Sequence, residues 1–352
     1  MPGRGRAGTA NGAAGLSRRQ LLQSAGVIAG GAMLAPVWTG CGSDDASSTS
    51  TAASGSLETT KLKAGIIMFA DTIPFWVAEQ QGLFRDAGFD SVEGVEMVGG
   101  TAIQPAIQSG QLQLGWASVP SVIAAKAQNF DFRFFAGGSA LGPDSYANQS
   151  MLVVEDSPLR SIQDLPGHKV GVNTLGNIAE LEVRWSLDAA GLDPDSVELV
   201  ELNAIGPDQL PPLIQGRIDA LQVNEPTVTA ALRDGGVRAI SDWSFMDPDV
   251  VFVAGWVSTG EWLDANPNAA RAFAGAMEAA AQWIEGHERA ANRLISEKTG
   301  VPEDLVNAMV SSEIHIPVTE ADLQPLAEAC HRYGLSEAEV PAADIVWQPP
   351  AA

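Results

Sequence analysis

Six short loops hold most of the polar chemistry of this sequence: "FADTIP" (69–74), "GGT" (99–101), "WASVP" (116–120), "GGSA" (137–140), "VNTLGN" (172–177) and "VNEP" (223–226). Asn173 and Thr174 stand ahead of a helical stretch whose first N–H groups and positive dipole end suit a sulfonate, carboxylate or phosphate oxygen, or else serve as an ordinary N-cap. Thr101 stands the same way before "AIQPAIQ". Asp71 and Thr72 precede Pro74 at a helix start, where the carboxylate either pairs with a ligand ammonium or caps the helix. Phe75 and Trp76 in the following turn either line a pocket or enter the core. Ser118, Ser121 and Ser139 can donate to ligand oxygens. Glu225 suits an amine or a ring-nitrogen donor, or stands as a solvated carboxylate. Trp243 and Trp256 either stack on a planar ligand or brace the fold. If Asp71 and Glu225 both face a ligand, an amine-bearing or zwitterionic molecule is preferred over a small inorganic anion.

The patterns of catalysis are incomplete. His287-Glu288 begins a zinc-protease motif, but Ala291 occupies the position of the second histidine. "GGSAL" (137–141) ends in Leu141 where a nucleophile elbow needs Gly. Cys330 and His331 are adjacent on a helical segment, so their side chains diverge by about 100°. His168 and His315 stand alone. The sequence therefore gives no catalytic residue, no metal site and no cofactor to expect.

The elements around these loops begin after an unusual first sixty residues. Arg4, Arg6, Arg18 and Arg19 precede an apolar run from about Ala25 to Val37, the plan of an export signal over residues 1–40. The run is too short to cross a bilayer as a helix. "SRRQLL" (17–22) resembles a twin-arginine signal, with Leu21 at the place of the usual Phe. Thr39-Gly40-Cys41 resembles a bacterial lipobox, with Trp38 where an aliphatic residue is usual, so Cys41 is expected to be acylated. Residues 41–60, rich in Ser, Thr, Ala and Asp, read as a flexible tether. The chain of 352 residues carries a formal charge of −23, and loss of the four arginines takes it to −27. Such acidity argues against a nucleic-acid partner.

From Lys61 an internal repeat appears. "KLKAGIIMF" and "HKVGVNTLG" read as strands, each followed by an amphipathic helix. "IQSGQLQLGWASVP" (107–120) and "LIQGRIDALQVNEP" (213–226) repeat one another, and Gly65 to Gly171, Gly110 to Gly216 and Pro120 to Pro226 are all 106 positions apart. The βαβ alternation predicts two α/β lobes with parallel sheets and helices on both faces. The lobes are expected at 61–150 plus 256–352 and at 151–255. A ligand in such a fold binds outside the carboxyl ends of the strands, where the six loops fall.

At these loops, and through "PFWVAEQQGLFRDAGFD", "AIQSGQLQLGWASVPSVIAAKAQ", "SPLRSIQDLPGHKVGV" and "LIQGRIDALQVNEP", the chain resembles the substrate-binding proteins of nitrate, sulfonate and taurine ABC importers. That group also includes binders of thiamine-pyrimidine precursors. The resemblance implies a type II periplasmic-binding-protein fold with two extended hinge connections, placed at about Gln149–Glu155 and Pro248–Ser258. It implies a C-terminal tail from Gly260 returning to the first lobe. It also implies a monomer that closes over a small organic ligand and delivers it to an ABC permease from the outer face of the cytoplasmic membrane. A ligand sensor for a membrane partner is the alternative. Enzymes on this fold use a cleft cysteine or a Cys-rich iron motif, and this sequence has neither.

Overall fold

The computed structural model describes residues 56–97, 99–246 and 250–350. The export signal, Cys41 and the tether up to residue 55 lie outside the described residues. Strands β1 (Lys61–Ile66), β2 (Ser91–Glu96), β3 (Leu114–Ser118) and β4 (Phe132–Leu141) lead to β5 (Gln149–Val154), β6 (Lys169–Val172), β7 (Glu198–Glu201), β8 (Ala220–Asn224) and β9 (Val237–Asp242). The chain then returns through β10 (Val251–Thr259) and β11 (Glu313–His315). They form two sheets, β11-β4-β10-β3-β1-β2 and β7-β6-β8-β5-β9.

The repeat seen in the sequence is a repeat of register. Gly65 pairs with Gly115 between β1 and β3, and 106 positions later Gly171 pairs with Leu221 between β6 and β8. In both copies the first strand is central and parallel to its two neighbours. The sheets as wholes are mixed, whereas the βαβ pattern predicts parallel ones. β10 runs antiparallel to β3 and β4, and β5 antiparallel to β8 and β9. These two are the strands by which the chain enters each lobe from the other, so they arrive at the opposite end of the sheet.

The chain passes between the sheets after β4 and again after β9. Of the stretches expected to hinge, residues 149–154 are β5 of the second sheet and residues 251–258 lie in β10 of the first. Residues 251–255, expected with the second lobe, accordingly belong to the first sheet.

The first lobe is built on aromatic packing. Phe75, on the helix Ile73–Gln81, sits 5.1 Å from Phe84 and 5.5 Å from Trp256, and Phe84 stacks on Phe273 of the helix Pro267–Glu285. The C-terminal helices thus close over the first sheet, and each buried aromatic ring contributes area that dominates such a core. Residues 56–60, expected as tether, dock on this lobe. Glu58 accepts backbone hydrogen bonds from Asn268 and Ala269 at the start of the helix Pro267–Glu285, where a negative charge meets free N–H groups and the positive dipole end. Partial burial works to raise the Glu58 pKa, but the amide hydrogen bonds outweigh it and hold the carboxyl low.

Polar contacts cross between the lobes at their rims. Asp188, on the helix Ile178–Ala189 of the second lobe, accepts the Tyr333 hydroxyl at 2.9 Å and pairs with Arg332 at 2.6 Å. Arg233 pairs with Asp304 at 2.7 Å. Among the described residues no helix is long and apolar enough to cross a membrane.

Candidate functional site

The carboxyl ends of β1, β3, β6 and β8 converge on one cavity of about 60 Å³ between the lobes. Repeat-related residues line it in pairs: Ile67 with Asn173, and Ser118 with Asn224. The repeat thus aims the same two strand ends of each lobe at one point. The two walls differ in chemistry, however. The second lobe presents six carboxamides, from Gln149, Asn173, Asn177, Gln209, Gln222 and Asn224, together with Thr174. The first presents Ile67, Phe69, Trp116, Val253 and Ala254, with the hydroxyls of Ser118 and Ser121 and the carboxylate of Asp71. Among the described lining residues none is Lys, Arg or His.

The carboxamide wall is held by hydrogen bonds behind it. Asn177 caps the helix Ile178–Ala189 with its side-chain oxygen, accepting from Ala179 N at 3.0 Å. Its amide nitrogen donates to Asn173 Oδ1 and Thr174 Oγ1 at 2.8 and 2.7 Å. The three side chains therefore lock one another, and the cap falls to Asn177 instead of Asn173 or Thr174. Gln222 donates to Glu182 Oε2 at 2.6 Å and to Gln149 Oε1 at 3.3 Å. Glu182 is buried on the far side of this pair. Burial pushes its carboxyl up to about 8, against the Gln222 hydrogen bond that pulls it down and with the Asp242 charge adding to the rise. At neutral pH the group behind the wall is thus a neutral acid.

Of the residues singled out in the sequence, Asp71, Ser118, Ser121, Asn173 and Thr174 line this cavity. Thr72 does not, because its hydroxyl donates to the carbonyls of Ile67 and Phe69 and fixes the exit of β1. Phe75 is fully buried in the aromatic core, and Trp76 packs edge-on against it with the Lys298 ammonium 3.5 Å over its ring. Glu225 is also withdrawn from the cleft. Its carboxylate accepts from Thr229 N, Thr229 Oγ1 and Val310 N, capping the helix Thr227–Asp234 and tying it to the first lobe. Burial raises the Glu225 pKa against those hydrogen bonds. Thr101 is in the first turn of the helix Gly100–Gln108, and its side chain is outside the described residues.

Ser139 is buried and lines a neighbouring cavity that it shares with Asp71. Trp243 and Trp256 are buried in aromatic clusters, with Phe245 and Trp185 and with Trp116 and Phe75 respectively. Ser121 also borders a larger, mostly apolar cavity of about 480 Å³ between the helices Gly100–Gln108 and Val119–Ala127.

Sequence reasoning missed five of the six carboxamides. Gln222 and Asn224 alternate on one face of β8, so a polar pair at period two in an apolar strand was the available signal. Among the described residues no cluster of His, Cys, Asp and Glu fits a metal ion.

This architecture has many solved counterparts. The periplasmic aliphatic sulphonate binding protein SsuA of Escherichia coli aligns with a TM-score of 0.68 at 23% identity, over 84% of this chain and 94% of that one. Among curated proteins, the nitrate/nitrite binding protein NrtA of Nostoc sp. strain PCC 7120 is 24% identical over 310 residues, covering 78% of this chain and 68% of its own. The taurine-binding periplasmic protein of Escherichia coli is 26% identical over 264 residues, 69% of this chain and 75% of that protein. A family model described as NMT1/THI5 like matches residues 70–291, which include every strand of the cleft except β1. With more than half of its length matched, and with the two-lobed α/β fold those relatives share, the chain belongs to the NMT1/THI5-like family.

Proposed function

We propose that this protein is the extracytoplasmic solute-binding component of an ABC importer, closing its lobes over a small organic molecule and handing it to a permease without chemical change. The observation that carries the reading is the pairing of a carboxamide wall with an apolar one. Carboxamides offer both donors and acceptors, which suits the N–H, ring-nitrogen and carbonyl edge of a planar molecule. Trp116 and Phe69 opposite suit its face. A bare anion fits less well, because none of the described lining residues is cationic and Asp71 is among them. Among the ligand classes open to the family, a nitrogen heterocycle or an amine-bearing acid is therefore favoured over nitrate or a simple alkanesulfonate.

Thermal-shift screening followed by calorimetry on pyrimidine precursors, flavins, taurine, alkanesulfonates and nitrate tests this. A heterocycle or amine is expected to raise the melting temperature most, and Gln222→Ala to weaken its binding by ~10-fold or more, the scale of one lost buried hydrogen bond. Shifts given by nitrate and simple sulfonates alone would sink it.

The relatives' periplasmic setting supports delivery from outside the cytoplasmic membrane. We assign Cys41 as the acylated residue that holds the monomeric lobes there. Globomycin should accumulate the unprocessed chain and Cys41→Ser should release soluble protein, whereas continued membrane retention of the variant would count against the anchor. Turnover is not part of the reading. Cys330 is buried in the helix Glu320–Arg332 away from the cleft, its thiol pushed well above the usual range by burial and then by Glu180.

A further inference from the structure

Asp71 stands between two cavities. One is the interlobe cleft. The other, of about 200 Å³, lies inside the first lobe where the helix Glu288–Thr299 and the segment 309–314 cover the ends of β1 and β4. Its polar lining is Asp71, Ser139, Glu288, Asn292, Ser311 and Ser312, and none of its described lining residues is Lys, Arg or His. Asp71 therefore meets two bordering spaces without a protein cation in either.

The groups around the carboxylate are arranged for a donor that the chain does not supply. Ser312 gives one hydrogen bond to Asp71 Oδ1, at 2.6 Å. Ser139, 2% exposed and facing the same carboxylate, leaves its hydroxyl oxygen without a partner in hydrogen-bonding geometry. Burial pushes the Asp71 pKa up, and the two serine hydroxyls only partly oppose it. A purely structural role, anchoring segment 309–314 through Ser312, would need one hydroxyl acceptor and would be met by Asn or Ser. It gives no reason for a charge at a place where charge is costly, nor for a second buried hydroxyl set against it.

We propose that Asp71, with Ser139 beside it, recognises a protonated amine of the ligand, which extends from the carboxamide cleft toward the second cavity. The ammonium N–H groups donate to the carboxylate and to the Ser139 hydroxyl oxygen, and Ser312 holds the carboxylate in place. This rests on the cleft being the solute site and names the charged end of the solute. It departs from an anion-binding cleft, since the one ionisable group among the described lining residues of this one is acidic.

The test uses matched pairs differing only at the nitrogen, titrated into the mature full-length protein by calorimetry after a thermal-shift screen. These are 2-aminoethanesulfonate against 2-hydroxyethanesulfonate, 2-phenylethylamine against 2-phenylethanol, and 4-aminomethylpyridine against 4-hydroxymethylpyridine. At least one amine is expected to bind ~10-fold or more tightly than its hydroxyl partner, the scale of one buried charge-assisted contact. Asp71→Asn should erase that preference while leaving the ligand-free melting temperature equal or higher, which separates lost recognition from lost folding. Ser139→Ala should reduce it in part. Equal binding within every pair, or a preference that survives Asp71→Asn, overturns the amine assignment and leaves the cleft reading standing. Absence of binding by these pairs and by every ligand of the wider screen overturns both.

Discussion

Glu182→Gln is expected to raise the melting temperature by several degrees at pH 8 and to leave it nearly unchanged at pH 5. Burial lifts the native carboxyl from 4.5 to about 8, so between those values the native state holds a proton that the unfolded chain has lost. Native stability is then fully present below the unfolded pKa and falls as pH rises through the native one. Over this span the loss is on the order of 5 kcal/mol at about 1.4 kcal/mol per unit. The amide of Gln has the same shape and no proton to lose, and it can still accept from Gln222. Asp71 and Glu225 also have raised pKa values and remain in both proteins, so the difference between the two curves isolates Glu182. Urea denaturation from pH 5 to 8.5 measures it, and parallel curves for the two proteins would refute the buried neutral acid. Because Glu182 supports Gln222, ligand affinity in the wild type should weaken over the same alkaline range.

Gly138→Ala is expected to destabilise the protein by about 3 kcal/mol, at the upper end of the usual cost of overpacking. A Cβ at Gly138 would stand 2.2 Å from the Ala254 carbonyl oxygen and 2.6 Å from Gly255 Cα, both backbone atoms of β10, and 2.6 Å from the Trp116 ring. Backbone in a paired strand has no rotamer by which to withdraw. Ala254 and Trp116 also line the cleft, so the variant should lose ligand affinity as well as stability. Gly275→Ala is the contrast: it lies inside the helix Pro267–Glu285 with nothing within 4 Å of the new methyl, and should stabilise by ~0.5–1 kcal/mol. A denaturant midpoint for Gly138→Ala within error of wild type would show that β4 and β10 can separate freely.

What the sequence disclosed was periodic. The 106-residue spacing of Gly65 and Gly171 placed in each lobe the strand that lies between two parallel neighbours, and the loops after β1, β3, β6 and β8 followed from it. Strand direction at the crossings was not legible, because β5 and β10 have the same apolar runs whichever way they are threaded. Side-chain destination at the loops was equally hidden. Thr72 and Ser118 are both hydroxyl residues at strand ends, and only the path of the chain turns one back to Ile67 O and the other into the cleft. Glu225 by its type suits a ligand or stands as a solvated carboxylate, and it does neither, because Thr229 one turn on offers it both a hydroxyl and an amide. Apart from Asn173 the carboxamides escaped notice, because only the Gln222 and Asn224 alternation in β8 sets any of them apart in the sequence. Their meaning arises when β5, β6 and β8 bring Gln149, Asn173 and Gln222 together.

The contact of Asp188 with Tyr333 and Arg332 joins the lobes through protein groups alone. In the lobe opening of the proposed function this contact breaks whether or not a ligand is bound, so it would weight the open and closed populations before any solute arrives. Each kcal/mol it contributes changes that ratio about fivefold. A pre-closed population lowers the reorganisation that a ligand must drive, but it also blocks entry. The same three side chains thus set a compromise between capture rate and retention, and rising ionic strength, which weakens the partly exposed Arg332 pair, should shift it toward faster exchange.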